Sequence, residues 1–181
     1  LDGICAAASA VGASVAVIAV HRGSSLIPIL DRALADRDDS VVIDLVTPPA
    51  RYVSSEESAL AHWTGDGLAT PVYGVRPFER GVRGRPTLVL NAETMAQLGL
   101  IARHGGDWFA SVGDPAAPGT SLVTVSGAVA TPGVVEVPTG IAVSELVALC
   151  GGLTGPVDGV LTGGYGGAWT SLDDLIAAPW A

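Results

Sequence analysis

The residue types that could do chemistry gather at residues 51–63, RYVSSEESALAHW. Ser54 precedes Glu57 by three positions, the capping-box spacing in which a hydroxyl accepts from first-turn N–H groups and a carboxylate reaches back to the cap. Glu56 and Glu57 then stand at the positive end of a helix dipole. Local pattern alone explains both acids as stabilisers of a helix start. A second reading takes them as acceptors for the hydroxyl or amide groups of a ligand. Further on, Arg76, Arg80, Arg83 and Arg85 fall inside the long Gly- and Pro-rich connection of residues 64–86. A connection of that length without periodicity is usually functional or mobile; the plain account has these arginines pairing with the chain's excess of acid.

The composition bounds what such groups can do. The 181 residues are 49% hydrophobic and 15% charged, enough for one ordinary domain or two small ones with a buried core. The formal charge is −9, and all nine basic residues are arginine. No basic face could neutralise a phosphate backbone at many points, which excludes nucleic acid as a partner. Cys5 and Cys150 stand far apart without a C-x-x-C, so these residues alone carry neither an iron–sulfur cluster nor a structural zinc. Their plain reading is two reduced core thiols.

The elements that must position the glutamates follow from periodicity. Residues 3–20 are uncharged and long enough on paper to cross a bilayer, but Ala, Gly and Ser fill the first half and SVAVIAV the second. We read a buried helix stopped by Gly12, then an inner strand covered on both faces. There is no basic region ahead of this run and no initial Met, so it is no signal peptide, and the chain is expected to begin inside a longer one. Leu26, Ile27, Leu30 and Leu34 make one stripe of an amphipathic helix with Pro28 in its first turns, and VVIDLV is a second strand. Helix and strand in alternation imply a parallel sheet, whose ligands sit beyond the carboxyl ends of its strands. Residues 54–57 follow such an end. PTLVLN is extended and leads into a helix from about Ala92 that stops at His104-Gly105-Gly106.

From Pro115 the texture changes. Residues 116–140 read as a hairpin turning at 130–133, IAVSELVALCGG as a short helix, and VDGVLTGGYGGAW as a further strand. Strand, strand, helix, strand is the order of a β-grasp module.

Four stretches, RYVSSEESAL, RPTLVLNAETMAQL, ARHGGDWFASVG and LVTVSGAVATPGVVEVPTGIAVSELVALCGGL, resemble in order and spacing the NADH-oxidising flavoprotein subunit of respiratory complex I and its soluble relatives. The resemblance implies an α/β chain. Residues 1–113 would be the later part of a three-layer, Rossmann-like FMN- and NADH-binding domain, 114–118 a linker, 119–170 a ubiquitin-like soluble-ligand-binding β-grasp domain, and 171–181 the start of a connection. It also implies that Tyr52, Ser55, Glu56 and Glu57 wall the flavin and nicotinamide, and that Val89, Leu90, Asn91 and Thr94 lie along the flavin. On this reading the two glutamates are ligand groups. Hydride transfer needs no protein acid or base, so the protein's task is to stack and orient two rings.

The expected cofactors are FMN and NADH in the parent protein, with a 4Fe–4S cluster only in a C-terminal region beyond this chain and none held tightly by this fragment. Other electron-transfer subunits are the expected partners. The expected location is cytoplasmic, with membrane association only through a complex and no transmembrane segment.

The chain also departs from the family. The family's Gly-rich phosphate loop lies upstream of these residues, Ser54-Ser55 replaces a Cys-Gly pair, Leu90-Asn91 replaces two asparagines, and Ile141 replaces a capping Thr. If position 55 needs positive φ, its serine is strained by about 1 kcal/mol or more. These departures keep two further readings open: a degenerate scaffold or docking subunit, and a small-ligand or partner-binding module.

Overall fold

The computed structural model describes residues 1–176. The connection expected over residues 171–181 is therefore seen only to Ile176, and the remainder, Trp180 included, lies outside the described residues. The chain is mixed α/β and divides into two compact units, Leu1–Ala102 and the residues from Arg103 onward.

In the first unit, helix α1 (Asp2–Val11) buries Gly3, Ala7 and Ala8 and ends at Gly12, whose φ of 68° lets its N–H reach the carbonyls of Ala8 and Ser9. Strand β1 (Val15–Ala19) pairs in parallel with β2 (Val42–Val46), Val15 opposite Val42 and Ala19 opposite Val46. The crossover carries α2 (Ile27–Ala35), with its proline in the first turn as the pattern requires. The expected covering of β1 on both faces is corrected: Val15, Val17 and Val42 are 54%, 40% and 60% exposed. Alternation along the strands puts these three on one side, and that side of the two-stranded sheet is open in this unit.

Residues 86–91 belong to no helix and no strand, and α5 (Ala92–His104) follows. The Asn91 side-chain oxygen accepts from the Thr94 N–H at 2.7 Å, so this asparagine caps the helix. Helices α1 and α5 touch backbone to backbone. A Cβ on Gly99 would lie 3.0 Å from the Gly3 nitrogen, and one on Gly3 would overlap the Met95 carbonyl. Arg37 fastens the start of α1 by pairing with Asp2 at 2.8 Å and with Asp39 at 2.6 Å. The guanidinium holds the Asp39 carboxyl below its usual value. Burial and the neighbouring Asp39 push the Cys5 thiol up, away from reactive thiolate. Cys5 is half-buried and Cys150 fully buried, which corrects the expectation of two core thiols to one.

The second unit opens after α5 with α6 (Gly106–Ala110) and the small hairpin of β3 (Gly113–Asp114) and β4 (Ala117–Pro118). The expected larger hairpin is β5 (Thr120–Val125) against β6 (Gly133–Pro138), antiparallel over six pairs. Helix α7 (Val143–Leu149) starts at Ala142 without a side-chain cap and places Leu146 on Val123 and Val137, with Val125, Val135 and Ile141 around them. The glycine-rich run predicted as one strand is two, β7 (Val160–Thr162) and β8 (Ala168–Thr170), followed by α8 (Leu172–Leu175). Gly163 and Gly164 take φ of 82° and 70° and reverse the chain between them, a conformation that side chains disfavour. No helix among the described residues is long and apolar enough to cross a membrane.

Candidate functional site

The joint beyond the carboxyl end of β2 is built in two steps. Pro48 and Pro49 bring the chain out of the sheet, and residues Tyr52–Ser55 form one 3-10 turn. Helix α3 (Glu57–Asp66) then starts from Glu56, whose backbone is still extended. The predicted cap moves accordingly, from Ser54 to Glu56. The Glu56 carboxylate accepts from the Ala59 N–H at 2.8 Å and from the Ser58 hydroxyl at 2.6 Å. Burial opposes its charge, but the Ser58 hydroxyl and the N–H groups of Ala59 and Ser58 outweigh that and hold the carboxyl below its ordinary value. The Ser58 oxygen in turn accepts from the Val72 N–H at 2.9 Å, which pins the following loop to the helix start.

Ser54 is instead swallowed by the turn. It is 1% exposed and its hydroxyl has no hydrogen-bond partner among the described residues. An unmet buried hydroxyl costs about 1–3 kcal/mol. Ser54→Ala is therefore expected to raise the midpoint of thermal unfolding by a few degrees, followed by circular dichroism; a lower midpoint would show that the hydroxyl has a partner.

Ser55 sits in the turn with negative φ, since Arg83 is the one non-glycine residue with positive φ among the described residues. This removes the conditional strain expected of it. Tyr52 is 93% exposed, and Ser55 and Glu57 are exposed beside it. The structure thus presents Tyr52, Ser55, Glu56 and Glu57 on one turn and the first residues of α3. Val89 and Thr94 are half-buried, Leu90 and Asn91 exposed, on the segment that leads into α5 and at its start.

A groove of about 370 Å³ runs along the joint, lined by Glu56, Glu57, Ser58, Tyr73, Arg76 and Glu79 among others. Its lining takes in two of the eight residues singled out from the sequence, Glu56 and Glu57. Ser58 and Tyr73 escaped the sequence reading, and Arg76 stood out there only as one of four arginines in a long connection, because a side chain bonded to a backbone N–H fourteen residues away leaves no local pattern. The wall is ordered by its own bonds. Helix α4 (Pro77–Arg80) follows Arg76, whose backbone N–H donates to the Glu79 carboxylate at 3.5 Å. Thr87 donates its N–H to the Pro77 carbonyl at 2.8 Å, and its hydroxyl accepts from the Val82 N–H at 3.0 Å. Arg76, Arg80, Arg83 and Arg85 are all exposed. Among the described residues no group of three or more His, Cys, Asp or Glu side chains could hold a metal ion.

A glutamate-walled groove at the end of a parallel pair in one unit, and a hairpin-and-helix unit after it, define a two-unit α/β chain whose second unit carries an SLBB domain, matched over residues 122–165. Over 101 residues, 55% of this chain and 17% of the relative, it is 38% identical to the NAD-reducing hydrogenase HoxS subunit alpha of Cupriavidus necator. Over 118 residues, 62% of this chain and 25% of the relative, it is 40% identical to the mitochondrial NADH dehydrogenase [ubiquinone] flavoprotein 1 of Dictyostelium discoideum. A solved NAD+-reducing [NiFe]-hydrogenase in the H2-reduced state superposes with a TM-score of 0.88 at 30% identity, covering 99% of this chain and 33% of that one. The chain is thus similar, over part of its length, to a flavoprotein subunit of NADH dehydrogenase and to subunits of NAD-reducing hydrogenases. It spans a third or less of each of these proteins.

Proposed function

We propose that this chain is the segment of an NADH-oxidising flavoprotein subunit that walls the flavin and nicotinamide, joined to an SLBB β-grasp domain. Residues 1–113 would complete a Rossmann-like FMN- and NADH-binding domain and 119–170 the β-grasp, with 114–118 between them. The observation that carries this is the placement of exposed Glu56 and Glu57 beyond the carboxyl end of a parallel strand pair, in the lining of a groove of about 370 Å³. Residue chemistry supports the hydroxyl and amide side of such a ligand. Glu56 is already engaged by Ser58 and Ala59, so Glu57 is the carboxylate with acceptor capacity for ribose hydroxyls or a carboxamide. Arg76 is the cation of the groove and the natural partner of a phosphate. The start of α3 is filled by the Glu56 carboxylate and makes a poor phosphate cradle.

When bound, the flavin would supply the hydride acceptor and onward electron carrier. This chain's residues would bind and orient. Tyr52 would offer a ring face, Ser55 and the two glutamates polar edges, and Val89, Leu90, Asn91 and Thr94 a second side. Asn91 spends its side-chain oxygen on capping α5, which leaves its NH2 free to donate. Electron-transfer subunits would be the partners of the whole protein. It would work in the cytoplasm and meet a membrane only through its complex.

Saturation-transfer NMR on the 181-residue chain tests this, because it reads dissociation constants on the order of 1 mM. NADH is expected to give ribose and nicotinamide signals that Glu57→Gln and Arg76→Ala each weaken. Signals of equal strength in wild type and both variants, or no signal at all, would remove the groove from the site. With FMN as the titrant, Leu90→Asn is expected to tighten binding several-fold by restoring an amide donor worth about 1 kcal/mol. Ser55→Gly is expected to leave it unchanged, since no strain is present to relieve.

A further inference from the structure

Every arginine of the chain lies at or before Arg103. The remainder carries seven carboxylates and neither arginine nor lysine, so it holds most of the formal charge of −9. Three of those seven, Asp158, Asp173 and Asp174, bracket the β7–β8 hairpin, and all three are exposed.

The hairpin they flank is apolar and aromatic on its surface. Leu161, Tyr165 and Trp169 are 41%, 101% and 74% exposed. Leu161 and Trp169 are directly opposite each other in the ladder and therefore share one face. Trp169 is not loose, since a Cβ on Gly159 would lie 3.5 Å from its Cε3, so part of the indole rests against the backbone while the rest faces solvent. The turn that carries Tyr165 is tight, because Gly163 and Gly164 hold positive φ and Gly167 lies against the Thr162 carbonyl. A large aromatic surface left open on a tight turn, with exposed carboxylates on either side of it in the chain, marks a binding surface rather than ordinary exposure.

We propose that this face docks an arginine-bearing basic segment of a partner polypeptide. The guanidinium stacks on Trp169, Asp158 and Asp173 answer its charge, and Leu161 with Tyr165 covers its aliphatic stem. Arginine suits the site better than lysine because its planar, weakly hydrated group stacks on an indole while forking to a carboxylate. Charge complementarity decides the partner class: the acidic surroundings repel nucleic acid and anionic lipid and attract a basic protein surface.

The test is a two-dimensional NMR titration of the 181-residue chain with an acetylated, amidated peptide of sequence Gly-Arg-Gly-Leu-Arg-Gly, read at the Trp169 indole N–H. The signal is expected to shift saturably. Trp169→Ala is expected to weaken binding about tenfold. Asp158→Asn with Asp173→Asn is expected to flatten the loss of binding between about 50 mM and about 300 mM salt. The same peptide with citrulline for arginine is expected not to bind. Trp169→Phe, which keeps a ring, is expected to be intermediate, and unchanged melting curves show that the variants fold. The proposal is overturned if the citrulline peptide binds as tightly or if Trp169→Ala changes nothing. It is equally overturned if sedimentation shows a dimer of this chain that Trp169→Ala dissolves, since the face would then belong to a second copy.

Discussion

Gly3→Ala is expected to lower the melting temperature of the first unit by about 10 °C or more, from overpacking of about 2–3 kcal/mol in a unit of this size. The new methyl would meet the carbonyl of Met95 and the nitrogen of Gly99, both main-chain atoms of α5, so no side chain can turn aside to admit it. Relief would require α1 to back away or its first turn to fray. Either movement loosens the Asp2–Arg37 pair at 2.8 Å and the burial of Ala7 and Ala8 behind it. Gly99→Ala meets Gly3 from the other side at 3.0 Å and is expected to show a smaller loss of the same kind. Gly106→Ala is the control, because nothing lies within 4 Å of the added methyl. Calorimetric melting of the three variants decides the matter, and a Gly3→Ala chain that melts with the wild type would show that α1 is not held at this crossing.

That crossing shows where legibility in the sequence ended. Gly12 as a helix stop, Pro28 in a first turn, and the parallel pairing of VAVIA with VIDLV all follow from local periods and backbone preferences, and each is present. The hairpin of β5 and β6 and the helix after it were equally legible, because alternation and turn residues act over few positions. Gly3 was not, since a glycine in an Ala-rich helix looks the same whether or not another backbone approaches it. The single glycine-rich strand became a hairpin for a related reason: only the φ values distinguish a flexible strand from a reversal. At the site, the residue types were read correctly at the level of a helix start with two acids, but the cap was placed two residues early. The 3-10 turn took up Ser54 and Ser55, and nothing in SSEE announces which residue leaves the extended conformation last. Arg76 was visible as one of four arginines in a long connection, but its place beside Glu56 and Glu57 was not, because that wall is joined through Ser58 and the Val72 N–H, a tertiary bond.

Glu56→Ala is the site substitution with the largest expected effect on stability, a loss of about 2 kcal/mol from an N-cap that is also the acceptor of a charge-assisted bond. Beyond uncapping Ala59, it leaves the buried Ser58 hydroxyl with its Val72 bond but no acceptor. Glu56→Gln keeps an oxygen for both donors and should recover most of the loss at pH 7. The two variants separate geometry from charge when melting is followed against pH. The folded-state pKa of Glu56 is depressed, so its contribution is complete above the ordinary value of 4.5 and disappears as pH falls through the lower folded value. Wild type is therefore expected to lose stability more steeply than Glu56→Gln below about pH 4.5. Equal acid slopes would mean that the carboxylate is not held by these bonds. Ser58→Ala completes a double-mutant cycle with Glu56→Ala, with an expected coupling of about 1 kcal/mol. A coupling near zero would leave Glu56 as a helix cap alone, with its carboxylate no longer tied through Ser58 to the wall of the groove.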